Sequence, residues 1–446
     1  MSLAELERSL DVEEAGRGMH AFAARAFPIF RSITGDGIRR TLGLIGERVP
    51  LAIHEVPSGT PVLDWTVPPE WNLREAWIAD AAGRRVVDVA SSALHVVGYS
   101  TPVRARMSLA ELRPHLHSLP SQPSLIPYRT AYYEPAWGFC LAHEQLERME
   151  DGEYAVCIDS TLAPGSLTYG ELLIPGELED EVLLSCHSCH PSLANDNLSG
   201  IAVATLLAES LAGRRLRYSY RFLFIPGTIG SITWLARNPE AAARVRHGLV
   251  LTCVGDPGDS TYKRSRRGDA EIDRAAAHVL AHAGSGYTIQ DFFPYGYDER
   301  QYCSPGYDLA VGCLMRSPHG RFPEYHTSAD DLDFITPAAL ADSFVKLVRI
   351  LRTLEENRTY QSCNPFGEPQ LGRRGLYKAV GGQSDTPDRQ MAMLWVLNLA
   401  DGRHSLLDMA ERARLPFPLV QETAELLVRH GLLRDVTGGE REGAEA

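Results

Sequence analysis

One short stretch does most to constrain the fold of this chain, because two apolar segments there enclose a run of polar side chains. Residues 181–185 form an apolar segment typical of a buried parallel strand, and residues 201–211 have apolar side chains at helical spacing. A strand that leads into a helix in this way predicts an α/β sheet flanked by helices. Ligands of such sheets bind at the carboxyl ends of the strands, which is where the polar run lies.

Two histidines and an aspartate occupy that polar run. His187, His190 and Asp196 have the donor types that hold Zn²⁺ in proteins. The alternative is a pair of hydrogen-bonded loop histidines and a carboxylate at the start of the next helix. A second segment far downstream favours the metal site, because it places His326 just before an acidic stretch that begins at residue 330.

Together these segments resemble the M28-type zinc aminopeptidases. In that family a strand ends in a ligand histidine, a turn like residues 195–200 carries a metal-bridging aspartate, and a late Tyr-His-Thr segment supplies a further ligand. A more specific resemblance is to the DUF4910 aminopeptidase-like proteins, in residues 189–192, 195–200, 225–231, 298–302 and 323–327. The resemblance implies a mixed sheet of the zinc-aminopeptidase type, a metal-dependent hydrolase, and His187, Asp196 and His326 as metal ligands.

The chain departs from the wider peptidase family at two strand ends. A Glu-Glu pair, one general base and one metal ligand, normally follows the next strand, but residues 220–225 lead here into Gly227 and Thr228. A further aspartate ligand corresponds to Thr252, with Asp256 as a possible stand-in. A second metal would therefore lack anionic ligands, so we expect one tightly bound zinc with an open position for water or substrate.

The sequence leaves the chemistry of the first loop open in two respects. His187 ends the apolar run as the family's ligand does, whereas His190 lies in an element characteristic of the DUF4910 branch, and both could reach one ion. Cys186 and Cys189 form a Cys-x-x-Cys pair, which would allow thiolate ligation or redox chemistry. A thioredoxin-type pair should start a helix directly after its strand. Because Pro191 and a further turn intervene, a redox function is not expected.

Two glutamates are candidates for the general base that Gly227 and Thr228 cannot supply. Glu299 and Glu324 both lie in stretches shared with the DUF4910 branch. Glu324 precedes His326 by two residues, so in an extended strand both side chains would point to one face.

Three further residues are candidates for contacts with the substrate. Arg300 and Arg316 could hold a carboxylate or stabilise an oxyanion, and Tyr302 could bind the substrate. The alternative for the charged candidates is an ordinary surface or ion-pair role.

Composition narrows the class of protein. The formal net charge of −13 argues against nucleic acid as the main partner. No apolar run approaches the ~18 residues of a membrane helix, the N-terminus lacks a secretory signal, and the eight cysteines are scattered as reduced thiols would be. We expect a cytoplasmic protein that acts on a small-molecule or peptide-like substrate, with a carrier protein or a second copy as partner and no membrane.

Changes of pattern along the chain predict four parts. Residues 1–60 and 125–365 form the aminopeptidase-like α/β domain, and the strand-rich residues 61–124 form an inserted β subdomain. The insert could overhang the active site or support oligomer contacts. Residues 366–437 form a winged-helix-like module, and residues 438–446 form a disordered tail.

The C-terminal module has three predicted helices followed by a strand, an order found in DNA-binding winged helices. Its basic and acidic residues balance, and the would-be recognition helix carries Glu422 and Glu425 with only Arg429. A DNA-reading helix should show a basic stripe, so a protein-docking or dimerisation role is favoured.

Two functions follow as hypotheses. The first is a zinc-dependent hydrolase of an amide bond, acting on a small or carrier-linked substrate. The second is a non-catalytic metal-binding protein that acts in an assembly through its C-terminal module. The missing Glu-Glu pair favours the second, and retention of His187, Asp196 and His326 favours the first.

Overall fold

The structure is a computed structural model that describes residues 2–376 and 386–438. The chain divides into two compact units, with residues 1–270 and 286–345 in the first and residues 271–285 and 346–446 in the second. Most of the tail that the sequence predicts to be disordered, from residue 439 onward, lies outside the described residues.

Strands and helices are numbered here in chain order. The described strands are β1 (Ala52–Pro57), β2 (Pro61–Val62), β3 (Trp65–Thr66), β4 (Glu70–Ala79), β5 (Arg85–Asp88), β6 (Val103–Ser108), β7 (Leu116–His117), β8 (Phe139–Cys140), β9 (Glu153–Ala163), β10 (Ser166–Ile174), β11 (Glu181–His187), β12 (Ser219–Ile225), β13 (Val245–Leu251), β14 (Ser260–Lys263), β15 (Tyr287–Gln290), β16 (Val311–Met315), β17 (Thr359–Ser362), β18 (Asp401–Ser405) and β19 (Leu433–Asp435). The described helices are α1 (Leu3–Ser9), α2 (Val12–Ala26), α3 (Asp36–Gly46), α4 (Leu109–Leu112), α5 (His143–Glu147), α6 (Gly200–Leu211), α7 (Ile229–Arg237), α8 (Pro239–Arg244), α9 (Glu271–Ala281), α10 (Glu299–Tyr302), α11 (Pro337–Glu356), α12 (Thr386–Leu399), α13 (Leu406–Ala413) and α14 (Phe417–Arg429).

An eight-stranded mixed sheet forms the core of the first unit, in the order β1-β10-β12-β11-β13-β16-β14-β15. The central strands β12, β11, β13 and β16 run parallel, while β10 and β14 are antiparallel to their inner neighbours. Every residue of β11 and β12 is buried, as expected for strands covered on both faces. The predicted mixed α/β sheet is confirmed.

Helices follow the central strands and bring their loops to one edge of the sheet. The turn Ala194–Ser199 joins the β11 loop to α6, and α7 follows β12 after only three residues. Helix α6 is buried along almost its whole length, which agrees with its apolar sequence. Among the described residues, no helix is both long enough and apolar enough to cross a bilayer.

A separate antiparallel sheet in the first unit corresponds to the predicted insert. Its strand order is β5-β4-β9-β6, with β9 between β4 and β6. The apolar run of β9 lies within residues 125–365 and predicts a strand of the central α/β sheet. The structure instead pairs β9 with β4 over most of the length of β4. The insert's sheet therefore draws on chain beyond residue 124.

The second unit contains the C-terminal module. Strands β18, β17 and β19 form a small antiparallel sheet, and α12, α13 and α14 supply the helices. Ser405 caps α13 and its side chain accepts a hydrogen bond from the backbone of Asp408. The predicted order of three helices and a closing strand is confirmed. On α14 the exposed residues include Glu422, Glu425 and Arg429.

Candidate metal site

The structure brings the four histidine and aspartate candidates together at the carboxyl end of β11. Ligand atoms of His187, His190 and Asp196 all lie within 4.8 Å of one another. The Nε2 atom of His187 lies 2.8 Å from Oδ1 of Asp196, and Nε2 of His326 lies 3.0 Å from Oδ2 of the same carboxylate. The His190 ring centroid is 4.8 Å from that of His187 and 5.3 Å from that of His326. Three imidazoles thus surround one carboxylate.

The protonation states of Asp196 and His190 suit a metal. Burial alone would raise the pKa of Asp196, but the nearby histidines and the hydrogen bonds from His187 and His326 hold it well below its usual range. Burial lowers the pKa of His190 to about 3, so its ring is neutral at pH 7. Neutral imidazoles and an ionised carboxylate are the forms that bind a metal, and this donor set fits zinc.

The cluster is enclosed on most sides and open on one. The side chains of His187 and Asp196 are fully buried, whereas the His326 side chain is 32% exposed. His190 is also partly exposed, so solvent reaches the cluster on the side of His190 and His326.

A buried hydrogen-bond network fixes the turn that carries Asp196. The Asp330 carboxylate accepts hydrogen bonds from the backbone N–H groups of Asn195 (2.5 Å) and Asp196 (3.0 Å). Asn197 donates through Nδ2 to the carbonyl of Leu251 at 2.9 Å. Asp330 was not among the predicted site residues, because the sequence does not show that its carboxylate reaches the backbone of residues 195 and 196. Its position within that stretch was the available signal.

The ends of the two neighbouring strands carry no carboxylate. A Cβ atom on Gly227 would lie 3.0 Å from the Cβ of His187, so the loop passes close to the cluster without reaching it. The hydroxyl of Thr252 donates to the sulfur of Cys253 at 3.6 Å. Asp256, the expected substitute for the aspartate ligand, accepts hydrogen bonds from Asn195 Nδ2 and from the backbone N–H and hydroxyl of Ser317. Its carboxylate is therefore already used by hydrogen bonds within the protein.

Both cysteines of the Cys-x-x-Cys pair are buried free thiols. Burial raises the pKa of Cys189 to about 12 and raises the pKa of Cys186 well above its usual range. The thiolate is the reactive and metal-binding form, so these environments disfavour redox chemistry and thiolate ligation.

The two glutamates proposed as base lie in different settings. Glu299 is fully buried and forms an ion pair with Lys263, with 2.8 Å between Nζ and Oε1. Glu324 is half-buried, and its backbone carbonyl accepts hydrogen bonds from Thr327. The segment from 324 to 326 is a turn, and His326 has a φ of +55°. The prediction of an extended strand at this position is therefore wrong.

The other predicted contact residues are also placed by the structure. Tyr302 is fully buried with its hydroxyl 2.9 Å from that of Ser185, and Arg316 pairs with Asp342 at 2.5 Å. Both side chains thus bind other residues of the protein, which disfavours their predicted contact with a substrate. Arg300 is half-buried, and its Nε has no hydrogen-bond partner among the described residues.

One carboxyl group beside the cluster was missed. Asp298 is fully buried, and its Oδ1 accepts a hydrogen bond from Ser231 Oγ at 2.8 Å. Its Oδ2 has no hydrogen-bond partner among the described residues and lies 3.7 Å from where a Cβ on Gly227 would be. Burial raises the pKa of Asp298 to about 6. The adjacent Asp298-Glu299 pair was the available signal, but two consecutive acidic residues do not show which of them faces the cluster.

Two tyrosines stack face to face on the imidazoles. The Tyr297 ring stacks on His187 (centroids 4.5 Å apart, 12° between planes), and the Tyr325 ring stacks on His326 (3.9 Å, 12°). Their hydroxyl oxygens lie 3.1 Å apart. We call Tyr297 and Tyr325 the tyrosine pair.

Comparison with known families gives two matches. Residues 20–357 match the profile of a domain of unknown function, DUF4910, and residues 358–435 match a winged helix-turn-helix profile. A relative from Clostridium acetobutylicum is 50% identical over 421 residues, which cover 94% of this chain and 97% of the relative. It is described as a candidate polysaccharide biosynthesis protein with an aminopeptidase-like domain.

Solved structures show the same fold. A candidate peptidase from Clostridium acetobutylicum has a TM-score of 0.93 at 47% identity, over 98% of this chain and 100% of that one. A zinc aminopeptidase from Bacillus subtilis has a TM-score of 0.55 at 11% identity, over 75% of this chain and 94% of that one. A peptidase M28 precursor from Shewanella amazonensis has a TM-score of 0.55 at 12% identity, over 79% and 95%. The last two show likeness of fold alone.

Proposed function

The chain belongs to the DUF4910 family, and from that premise we propose that it is a zinc-dependent hydrolase of an amide bond. The observation that carries the proposal is the convergence of His187, His190 and His326 on the two oxygens of Asp196. An aminopeptidase-like fold supports an amide as the scissile bond, although a fold alone does not fix a reaction.

His187, His190 and Asp196 would hold the zinc, with His326 at the other oxygen of Asp196. Bound zinc supplies Lewis acidity, which polarises an amide carbonyl and lowers the pKa of water from 15.7 to roughly 7. Gly227, Thr228 and Thr252 offer no carboxylate, so we propose one zinc per chain.

Asp298 is the carboxyl group best placed to accept a proton during hydrolysis. Its Oδ2 lies beside Gly227, where the wider family has its glutamates, while Ser231 holds its Oδ1. A general base works best with a pKa near the operating pH, and burial moves the pKa of Asp298 in that direction, to about 6. Glu324 stays in the proposal as the second candidate, and Arg300 as a residue that stabilises negative charge on the substrate.

The substrate class is a small or carrier-linked amide. The relative described as a candidate polysaccharide biosynthesis protein supports an amide on a sugar, such as an N-acyl group. A carrier protein or a second copy of the chain could act as partner. We propose a cytoplasmic location, because all eight cysteines are free thiols and seven are buried.

Elemental analysis of the purified protein, followed by a screen of N-acylated sugars and small amides with and without chelator, tests the proposal. We expect close to one zinc per chain and hydrolysis that chelator abolishes and zinc restores. Two tightly held metals per chain would contradict the single-zinc site, and chelator-resistant hydrolysis would contradict the role of the metal.

The base is tested with Asp298→Asn, Glu324→Gln and the control Asp331→Asn. Asp298→Asn should keep its zinc and lower kcat by roughly 10²–10⁴-fold, the usual contribution of a positioned base. Near wild-type turnover in Asp298→Asn, together with a large loss in Glu324→Gln, would move the role to Glu324.

A second candidate function is a non-catalytic metal-binding protein that acts in an assembly. The missing strand-end carboxylates favour it, as does the acidic exposed face of α14 around Glu422 and Glu425, which suits a protein partner better than nucleic acid. A protein that binds zinc but hydrolyses none of the amides, with or without its C-terminal module, would support this alternative.

A further inference from the structure

We propose that the buried ion pair of Lys263 and Glu299 is a positioning element of the zinc site, acting on the ligand histidines through the tyrosine pair. The inference rests on the proposed function, because it concerns how the protein orients His187 and His326. Among the described residues, neither Lys263 nor Glu299 makes a hydrogen bond or ion pair with the ligand cluster, so the effect is transmitted through residues that contact both.

The ion pair is unusual in its complete burial. Lys263 at the end of β14 and Glu299 at the start of α10 are both 0% exposed, with 2.8 Å between Nζ and Oε1. The ammonium group also donates to the carbonyl of Tyr295 at 2.8 Å and lies 4.0 Å from the ring centroid of Phe293. Burying two charges is costly, so such a pair persists only where further hydrogen bonds satisfy it. Here those bonds come from the loop before Glu299.

That loop wraps closely around the pair. The second oxygen of Glu299 accepts a hydrogen bond from the backbone N–H of Tyr297 at 3.1 Å. Gly296, which precedes Tyr297, has a φ of +159°. A Cβ atom at this position would lie 2.1 Å from Oε1 of Glu299 and 2.9 Å from Nζ of Lys263. Consecutive residues 295–297 therefore contact the charges through their backbone, which fixes the point from which the Tyr297 side chain leaves.

From that point the aromatic contacts lead to both histidines. Tyr297 stacks on His187, the hydroxyls of the tyrosine pair lie 3.1 Å apart, and Tyr325 stacks on His326. These two imidazoles face different oxygens of Asp196. A shift of Tyr297 would thus change the orientation of one ligand directly and of the other through Tyr325.

The chain offers a matched control beside this pair. Arg264, the next residue after Lys263, pairs with Asp291 at 3.0 Å, but its side chain is 37% exposed and that of Asp291 is 88% exposed. It joins the residue after β14 to the residue after β15, at the start of the loop that leads to residues 295–297. A solvated pair of this kind contributes little to structure.

The experiment compares Lys263→Met, Glu299→Gln, the double variant Lys263→Met/Glu299→Met and the control Arg264→Met/Asp291→Asn. Zinc affinity is measured by competition with a chelator, and ligand geometry by the visible absorption of Co²⁺-loaded protein. We expect each single variant to bind zinc about 10–100-fold more weakly, the usual effect of losing an outer-shell partner, and to shift the Co²⁺ spectrum. The control should match the wild type in both measurements.

The double variant separates positioning from stability. It leaves no unpaired buried charge, so its melting temperature should recover, while the weak zinc affinity and altered Co²⁺ spectrum should remain because Tyr297 has lost its anchor. Recovery of all three properties would overturn the proposal and leave the ion pair a merely structural feature.

A further variant guards against single variants that fail to fold. Tyr297→Leu removes the stacking on His187 without burying a charge, and it should weaken zinc binding to a similar extent. Unchanged affinity in Tyr297→Leu would overturn the proposal. A wild-type protein that binds neither Zn²⁺ nor Co²⁺ would instead refute the proposed function, and this inference with it.

Discussion

Two neighbouring parallel strands, β11 and β13, each carry a buried histidine, but at opposite ends. His187 is the last residue of β11, with its Nε2 2.8 Å from Oδ1 of Asp196. His247 is near the start of β13, opposite Val182 of β11, and packs edge-on against the ring of Tyr218 at 5.2 Å. After β13 ends at Leu251, the next residue is Thr252.

The difference shows that strand position, not burial, makes a histidine a ligand candidate. At the carboxyl end, the turn that follows β11 returns a carboxylate to the imidazole, and the downstream loop adds His326 to the same carboxylate. At the amino end of β13, burial lowers the pKa of His247 to about 3 and keeps its ring neutral. The same residue type is therefore a candidate metal ligand in one strand and packs against an aromatic ring in the other.

The largest expected effect tests the carboxyl end of β11. Asp196→Ala removes the one carboxylate that faces three imidazoles, so zinc affinity should fall by more than the roughly 10–100-fold typical of outer-shell changes. Elemental analysis after dialysis against a weak chelator should find little zinc in this variant.

Asp331→Ala is the matched control for that prediction. Asp331 belongs to the acidic stretch after His326, but its Oδ1 accepts hydrogen bonds from the backbone of Asp333 and Phe334. This variant should retain its zinc. Equal metal loss in both variants would show that Asp196 has no special place in the site.

Local sequence patterns predicted the part of the site that one connected segment builds. The strand, the loop with both histidines and the turn with Asp196 lie within 20 residues, so their order alone brings them to one edge of the sheet. His326 was identified through resemblance to a family motif. The absence of carboxylates at Gly227, Thr228 and Thr252 could also be read directly.

Features of the site that depend on contacts between distant segments could not be predicted from the sequence. Asp298 and Glu299 are adjacent carboxylates, and only Lys263 and Ser231, far away in the chain, determine which one faces the site. The extended segment expected before His326 is a turn instead, since local pattern does not specify a positive φ at a histidine. In the same way, the apolar run of β9 did not reveal which sheet it joins.

The middle prediction concerns the amino end of β13 and acid stability. The folded-state pKa of His247, about 3, lies below its ordinary value of 6.5, so the unfolded chain takes up this proton first as pH falls. The free energy of unfolding therefore falls as the pH drops from 6.5 towards 3, by up to about 1.4 kcal/mol per pH unit. His247→Gln, which cannot take up this proton, should lose less stability than the wild type.

Melting temperatures of metal-free wild type and His247→Gln at pH 7 and pH 5 measure this difference. The variant can be less stable at pH 7, but the gap should narrow or reverse at pH 5. Other buried histidines are common to both proteins and cancel in the comparison. A gap that does not change with pH would show that His247 is not the source of acid sensitivity.

The smallest expected effect tests the carboxyl end of β13, where the comparison is sharpest. Thr252 is fully buried, and among the described residues its hydroxyl donates to the sulfur of Cys253 at 3.6 Å, a weak acceptor. Thr252→Val preserves the shape of the side chain and leaves no strong acceptor unpaired, so stability should change by less than about 1 kcal/mol. Zinc content and the Co²⁺ spectrum should stay at wild-type values, because this position corresponds to a family ligand that the chain lacks. A loss of zinc in Thr252→Val would mean that the carboxyl end of β13 takes part in the metal site. The contrast between β11 and β13 as carriers of metal ligands would then be wrong.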